Sequence, residues 1–324
     1  MKRRTFALAM SSYSLLVTRS WGQAAPWPAR TIRLVVAYPP SGTADLLSRA
    51  IAEGVSHRLG QTVVVENRPG ANGNIAADLV AKAPADGYTL LMTAPGPVAV
   101  NASLFATLPF DPQTAFAPVS LAGVAPLLLV VPKNVPVNNL RELLDFVRVN
   151  PARGTFASQG NASSGHLAME LLKVRTGMQA THVPYKGSAP ALNDLLAGHV
   201  LMMFDNTASS LPHVRNGALR GIAVAEERRL IAAPEIPTVA ESGVPGFVAT
   251  PWFGIVTTAG CSPAIIDKLS IAINDTLKVA AVQARFLDMG VELRPSSPAA
   301  FDAYIRSEAT KWRDVVRLSG AKLD

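Results

Sequence analysis

Three loops carry the residue types best suited to holding a ligand. In the first, Ser158, Asn161, Ser163 and Ser164 place four small hydroxyl or amide side chains just ahead of a helix-like run. Such groups can hold a carboxylate by neutral hydrogen bonds alone. The same residues also make an ordinary capping turn. The second loop is Pro40-Ser41-Gly42-Thr43-Ala44-Asp45, where Gly42 permits close backbone approach and Asp45 suits a helix cap better than a ligand contact. The third, Thr93-Ala94-Pro95-Gly96-Pro97, is stiffened by its prolines. Asp205 and Asn206 end an apolar run. An acid there either meets a ligand amine, hydroxyl or bridging water, or closes an Asx-turn.

Catalytic templates fail against the same sequence. It contains no Gly-x-Ser-x-Gly elbow, no phosphate-binding or dinucleotide glycine motif, and no His-Glu-x-x-His. His57, His166, His182, His199 and His213 show no metal-ligand spacing, so neither metal nor cofactor is expected. Ser164 and His166 invite a Ser–His nucleophile reading with Asp205 as third member. Residues two apart on a helix do not face each other, which argues against it.

The loops lie between alternating strand-like and helix-like runs. Strands are expected at Thr31–Ala37, Gln61–Glu66, Tyr88–Thr93, Pro126–Val131, Thr155–Ser158, Thr181–Val183, Val200–Asp205 and Gly221–Ala225. Helices are expected at Thr43–Leu59, Ile75–Lys82, Leu140–Val149 (with Asn138 or Asn139 as N-cap), His166–Thr176, Pro190–Ala197, Pro263–Leu277 and Ala299–Leu318. This alternation implies parallel α/β sheets in two halves. In such sheets ligands lie beyond the carboxyl ends of the strands, where helix N-termini present free N–H groups.

Composition narrows the class further. The chain has 324 residues, 49% of them hydrophobic and 16% charged, one cysteine and a formal charge of +7. Disordered tails and disulfide or Cys-rich zinc scaffolds are excluded. Aromatics are only 6%, and the basic residues are spread along the chain, so no nucleic-acid surface is expected. Lys2, Arg3 and Arg4 precede Phe6–Met10 and Leu15–Val17, then small residues near Ala24. That is the layout of an export signal over residues 1–24, for the Sec or the twin-arginine route. Its removal takes the charge from +7 to +3.

Several longer segments then become familiar together. Pro39-Pro40-Ser41-Gly42-Thr43-Ala44-Asp45, Val63-Val64-Val65-Glu66-Asn67-Arg68-Pro69-Gly70-Ala71, Asp86-Gly87-Tyr88-Thr89-Leu90-Leu91 and His182-Val183-Pro184-Tyr185-Lys186-Gly187 resemble the Bug-type extracytoplasmic solute-binding receptors of tripartite tricarboxylate transporters. Asp194–Gly198, Pro237–Glu241 and Pro245–Phe247 match as well, and the resemblance runs from about Trp27 to the C-terminus.

The resemblance implies a type II periplasmic binding protein-like α/β fold, with two lobes, a central cleft and two crossovers near Gly123 and Trp252. Residues 25–123 with 253–324 would form the first lobe and 124–252 the second. It implies a non-catalytic periplasmic receptor, a monomer, that captures a small organic acid and serves separate membrane permease subunits. Ligand contacts carry over to Ser41, Gly42, Thr43, Asn72 and Gly73 on one side; Thr93 and Ala94 are expected at the site from the place of the third loop at a strand end. On the other side the contacts carry over to Ser158, Asn161, Ser163, Ser164 and Asp205. Ser41 and Asn72 stand where the family usually has glycine. A receptor of this fold serving a signalling sensor is the alternative to transport.

Overall fold

Ile32–Val36 (β1) is buried along its length except at Arg33, as expected of a strand covered on both faces. The structure is a computed structural model and describes residues 26–319. The expected export signal, residues 1–24, lies outside them. β1 leads through α1 (Thr43–Leu59), β2 (Val63–Asn67) and α2 (Asn74–Ala81) to β3 (Thr89–Thr93). β1 pairs in parallel with both β2 and β3. A wide helical turn at Gly96–Val100 and the short α3 (Asn101–Leu104) precede β4 (Phe116–Val124).

Only Ala125 and Pro126 separate β4 from β5 (Leu127–Pro132), yet β5 belongs to a second sheet. That sheet's lobe continues with α4 (Leu140–Val149), β6 (Thr155–Ser158), α5 (Ser164–Thr176), β7 (Thr181–Pro184), α6 (Ser188–Leu196), β8 (Met202–Asn206), α7 (Thr207–Arg215) and β9 (Leu219–Val224). Residues 225–251 return the chain to the first sheet at β10 (Trp252–Thr258). It ends with α8 (Pro263–Leu277), α9 (Ala280–Asp288), β11 (Glu292–Leu293) and α10 (Pro298–Ser319). The two strand orders are β11-β4-β10-β3-β1-β2 and β7-β6-β8-β5-β9.

The sheets are mixed, which corrects the all-parallel expectation. β10 runs antiparallel to β3 and β4, and β5 runs antiparallel to β8 and β9. β5 and β10 are the strands that enter directly from the other lobe. No covering helix precedes either one, so the parallel-crossover rule does not apply to them.

The C-terminal helix joins the lobes. α10 buries Phe301, Ile305, Trp312, Val315 and Val316 in one apolar cluster with Val35 and Leu91 of the first lobe and Leu129, Phe156 and Phe204 of the second. Glu308, 4% exposed, accepts from Trp252 Nε1 (3.1 Å) and Trp312 Nε1 (2.9 Å) and pairs with Lys311. Charge-assisted bonds of this kind are each worth about 2 kcal/mol. Glu308→Gln, which keeps one acceptor oxygen, is expected to lower unfolding free energy by about 2 kcal/mol in urea melts.

Candidate functional site

Pro39 and Pro40 end β1, and Ser41 follows in a left-handed conformation (φ 67°). Gly42 then stands at the N-cap of α1 without a side chain to cap it, so the first-turn amides stay open. Asp45, buried, accepts from Ser41 N (2.9 Å), Asn67 Nδ2 (3.0 Å) and Arg49 Nε (2.9 Å). Arg49 is the main reason its carboxyl is held below the usual range. Asp45 therefore fixes the loop one residue ahead of the N-cap rather than capping the helix itself.

Across from this loop, Ser163 is the N-cap of α5 and accepts from His166 N (3.3 Å). The helix starts at Ser164, two residues earlier than its apolar pattern indicated. Between the two loops lies a cleft of about 490 Å³. Gly42, Thr43, Asn72 and Ala94 line it from the first lobe; Gln159, Ala162, Ser163, Ser164 and Asn206 line it from the second. Tyr38, Leu127, Leu167 and Phe253 give it an apolar body, and among the described residues no Asp, Glu, Lys, Arg or His side chain lines it. Burial pushes the Tyr38 phenol well above its ordinary value, so it remains a neutral donor.

The remaining expected site residues stand around the cleft rather than in its lining. Ser41 flanks it, and Asn161 is exposed. Gly73 is buried against Pro97 and Ala37, where a Cβ would come within 2.6 Å of Pro97 Cγ. Thr93 is fully buried and donates to Ala94 O (3.1 Å). Ser158, also fully buried, lies 2.6 Å from His182 Nε2 and donates to Gly160 O (3.0 Å). Asp205 has no exposed surface; it accepts from Gln159 Nε2 (2.8 Å), from Ser209 Oγ (2.5 Å) and from Ser188 Oγ. Its role in the wall is to hold Gln159. Asn72 lines the cleft in a left-handed conformation (φ 51°), its Nδ2 donating to Asn101 Oδ1 (2.8 Å).

Gln159 sits inside the loop that its hydroxyl neighbours mark, so its signal was available in the sequence. Leu127 and Phe253 gave none, because they come from the inter-lobe strands β5 and β10. The Ser164–His166–Asp205 arrangement does not form. His166 Nδ1 accepts from Ala162 N (3.0 Å), and the Asp205 bonds go elsewhere. No group of three or more His, Cys, Asp or Glu among the described residues could hold a metal.

His166 and His182 stack behind the α5 loop, with ring centroids 3.9 Å apart and planes 7° from parallel. Burial, more than any neighbouring charge, pushes both imidazoles down to about 4 from 6.5. The unfolded chain therefore binds more protons than the folded one between about pH 6.5 and pH 4. Stability is full above pH 6.5 and is lost as the pH falls through that window. On the order of 2 kcal/mol should disappear between pH 7 and pH 4.5 in urea melts, and less in a His166→Asn variant.

Residues 47–320 match the family described as the tripartite tricarboxylate transporter family receptor. The protein BugT of Bordetella pertussis is 39% identical over 298 residues, covering 92% of this chain and 91% of BugT. An R. palustris structure described with adipate is 37% identical, with a TM-score of 0.78, and covers 92% of this chain and 100% of its own. MatC from Rhodopseudomonas palustris, with bound malate, is 32% identical, with a TM-score of 0.74, covering 90% and 100%. The chain thus belongs to the tripartite tricarboxylate transporter receptor family, as a two-lobed solute-binding receptor and not an enzyme.

Proposed function

We propose that the mature protein is a periplasmic monomer that captures a small organic acid between residues 25–123 with 253–324 and residues 124–252, and delivers it to separate membrane permease subunits. The observation that carries this is a cleft whose lining, among the described residues, is neutral, with the α5 N-terminus and the Ser163 and Ser164 hydroxyls on one wall. A carboxylate is well served by that set, since helix N–H groups and hydroxyls donate without the desolvation cost of a buried cation. Gly42, Thr43, Asn72 and Ala94 meet the ligand from the other wall. Ser41, Gly73, Thr93, Ser158, Asn161 and Asp205 shape the two walls. Relatives solved with adipate and with malate support a carboxylated ligand. Leu127, Leu167 and Phe253 favour one with a hydrocarbon body over one with several hydroxyls.

The test is thermal-shift and calorimetric titration with adipate, malate, citrate, glutamate and benzoate. At least one should stabilise the protein, adipate or benzoate more than malate or citrate. Ser163→Ala and Ser164→Ala should each weaken binding of the best acid by about tenfold in a folded protein, with only Ser163→Ala, the α5 N-cap, losing about 1 kcal/mol of stability. No stabilisation by any acid at millimolar concentration would overturn the receptor reading.

A further inference from the structure

Resting on that reading, we propose that His166 is a positioning residue of the ligand-binding loop. Its unprotonated Nδ1 holds the Ala162 N–H and thereby sets Ser163 and Ser164 in the cleft wall. Ala162 is not glycine, yet it adopts the left-handed conformation (φ 56°), which a Cβ disfavours. Something must keep it there. Its N–H donates to His166 Nδ1 at 3.0 Å, in the first turn of α5. A backbone N–H can be met only by a ring nitrogen that carries no proton, so the imidazole proton sits on Nε2, 3.8 Å from Glu170 Oε1.

The ring is itself held in place. It stacks on His182, which stacks on Phe156 with centroids 4.8 Å apart. His182 Nε2 lies 2.6 Å from Ser158 Oγ, which also accepts from Gly160 N (3.1 Å). One imidazole therefore ties the start of the loop and the other its end, and the two rings brace each other. The ionisable groups around His166 are His182 on β7 and Glu170 and Lys173 on α5. Burial keeps His166 neutral down to about pH 4, so the acceptor is present wherever the receptor works near neutrality. Protonation would turn it into a donor facing a donor.

The experiment uses the full mature protein with adipate as probe. Asparagine places an oxygen where Nδ1 stands, phenylalanine keeps the flat ring without an acceptor, and glutamine places its oxygen nearer the Nε2 position. His166→Asn should bind adipate within about threefold of wild type, and His166→Phe and His166→Gln at least about tenfold more weakly at similar melting temperature. Hydrogen exchange over residues 158–166 should quicken in His166→Phe and His166→Gln and stay slow in His166→Asn. Below pH 5 wild-type affinity should fall more steeply than that of His166→Asn. Wild-type affinity and exchange in His166→Gln or His166→Phe would overturn the proposal, as would His166→Asn behaving like them. Should wild type bind no adipate while exchange follows the expected pattern, the adipate assignment fails and the loop-positioning role stands.

Discussion

Asp205→Ala is expected to cost about 4 kcal/mol of stability and at least about 100-fold in affinity for the acid. The carboxylate has no exposed surface, and three uncharged donors close on it: Gln159 Nε2, Ser188 Oγ and Ser209 Oγ. Ser188 opens α6, and Ser209 lies in the first turn of α7, so two helix N-termini also favour the charge. Alanine removes the shared acceptor, leaving Gln159 Nε2 only Phe204 O (3.2 Å) and Ser209 Oγ only Asn206 O (3.0 Å). Gln159, a cleft-lining residue, then loses its shorter, charge-assisted anchor. Asp205→Asn should be much milder, since one oxygen remains and the serine hydroxyls can turn to accept. Urea melts and calorimetry on both variants check this; an alanine variant with wild-type affinity would place Gln159 outside the site.

Gly290→Val is expected to weaken binding by about 30-fold with a smaller change in stability. Gly290 lies between α9 and β11 in the first lobe, at φ +69°. A Cβ there would stand 3.0 Å from Ala208 N and 3.4 Å from Ala208 Cα, at the start of α7 in the second lobe. The obstacle is backbone and cannot swing aside, so the added side chain wedges the lobes apart. Left-handed valine adds strain of about 1–2 kcal/mol. Small-angle scattering with saturating acid should show a larger radius of gyration than wild type. Equal radii and equal affinities would mean that the lobes do not need this approach to hold the ligand.

Much of the architecture was readable from local pattern. β1 announced itself as an apolar run rich in β-branched residues and broken only by Arg33, and α4 by its amphipathic stripe and its Asn139 cap, which accepts from Glu142 N at 2.9 Å. β4 and β10 were not readable. Their mutual pairing carries two register shifts, and Pro118, Gly123 and Gly254 interrupt the apolar pattern. They are held by pairing within the first sheet between segments more than a hundred residues apart in sequence, which no local period records. The site divides the same way. The hydroxyl-rich loop was visible because donors cluster in sequence, whereas Tyr38, Leu127 and Phe253 reach the cleft from three distant strand ends. Asp205 was marked by its place at the end of β8, but strand position alone does not tell whether an acid faces the ligand or the wall behind it.

The most direct measurement is a crystal structure of the mature protein grown with the acid that stabilises it best. A carboxylate is expected in the cleft, within hydrogen-bond distance of the Ser163 and Ser164 hydroxyls and the first free amides of α5, with the body of the acid against Leu127 and Phe253. An acid bound outside the cleft, or a cleft empty at saturating concentration, would contradict it.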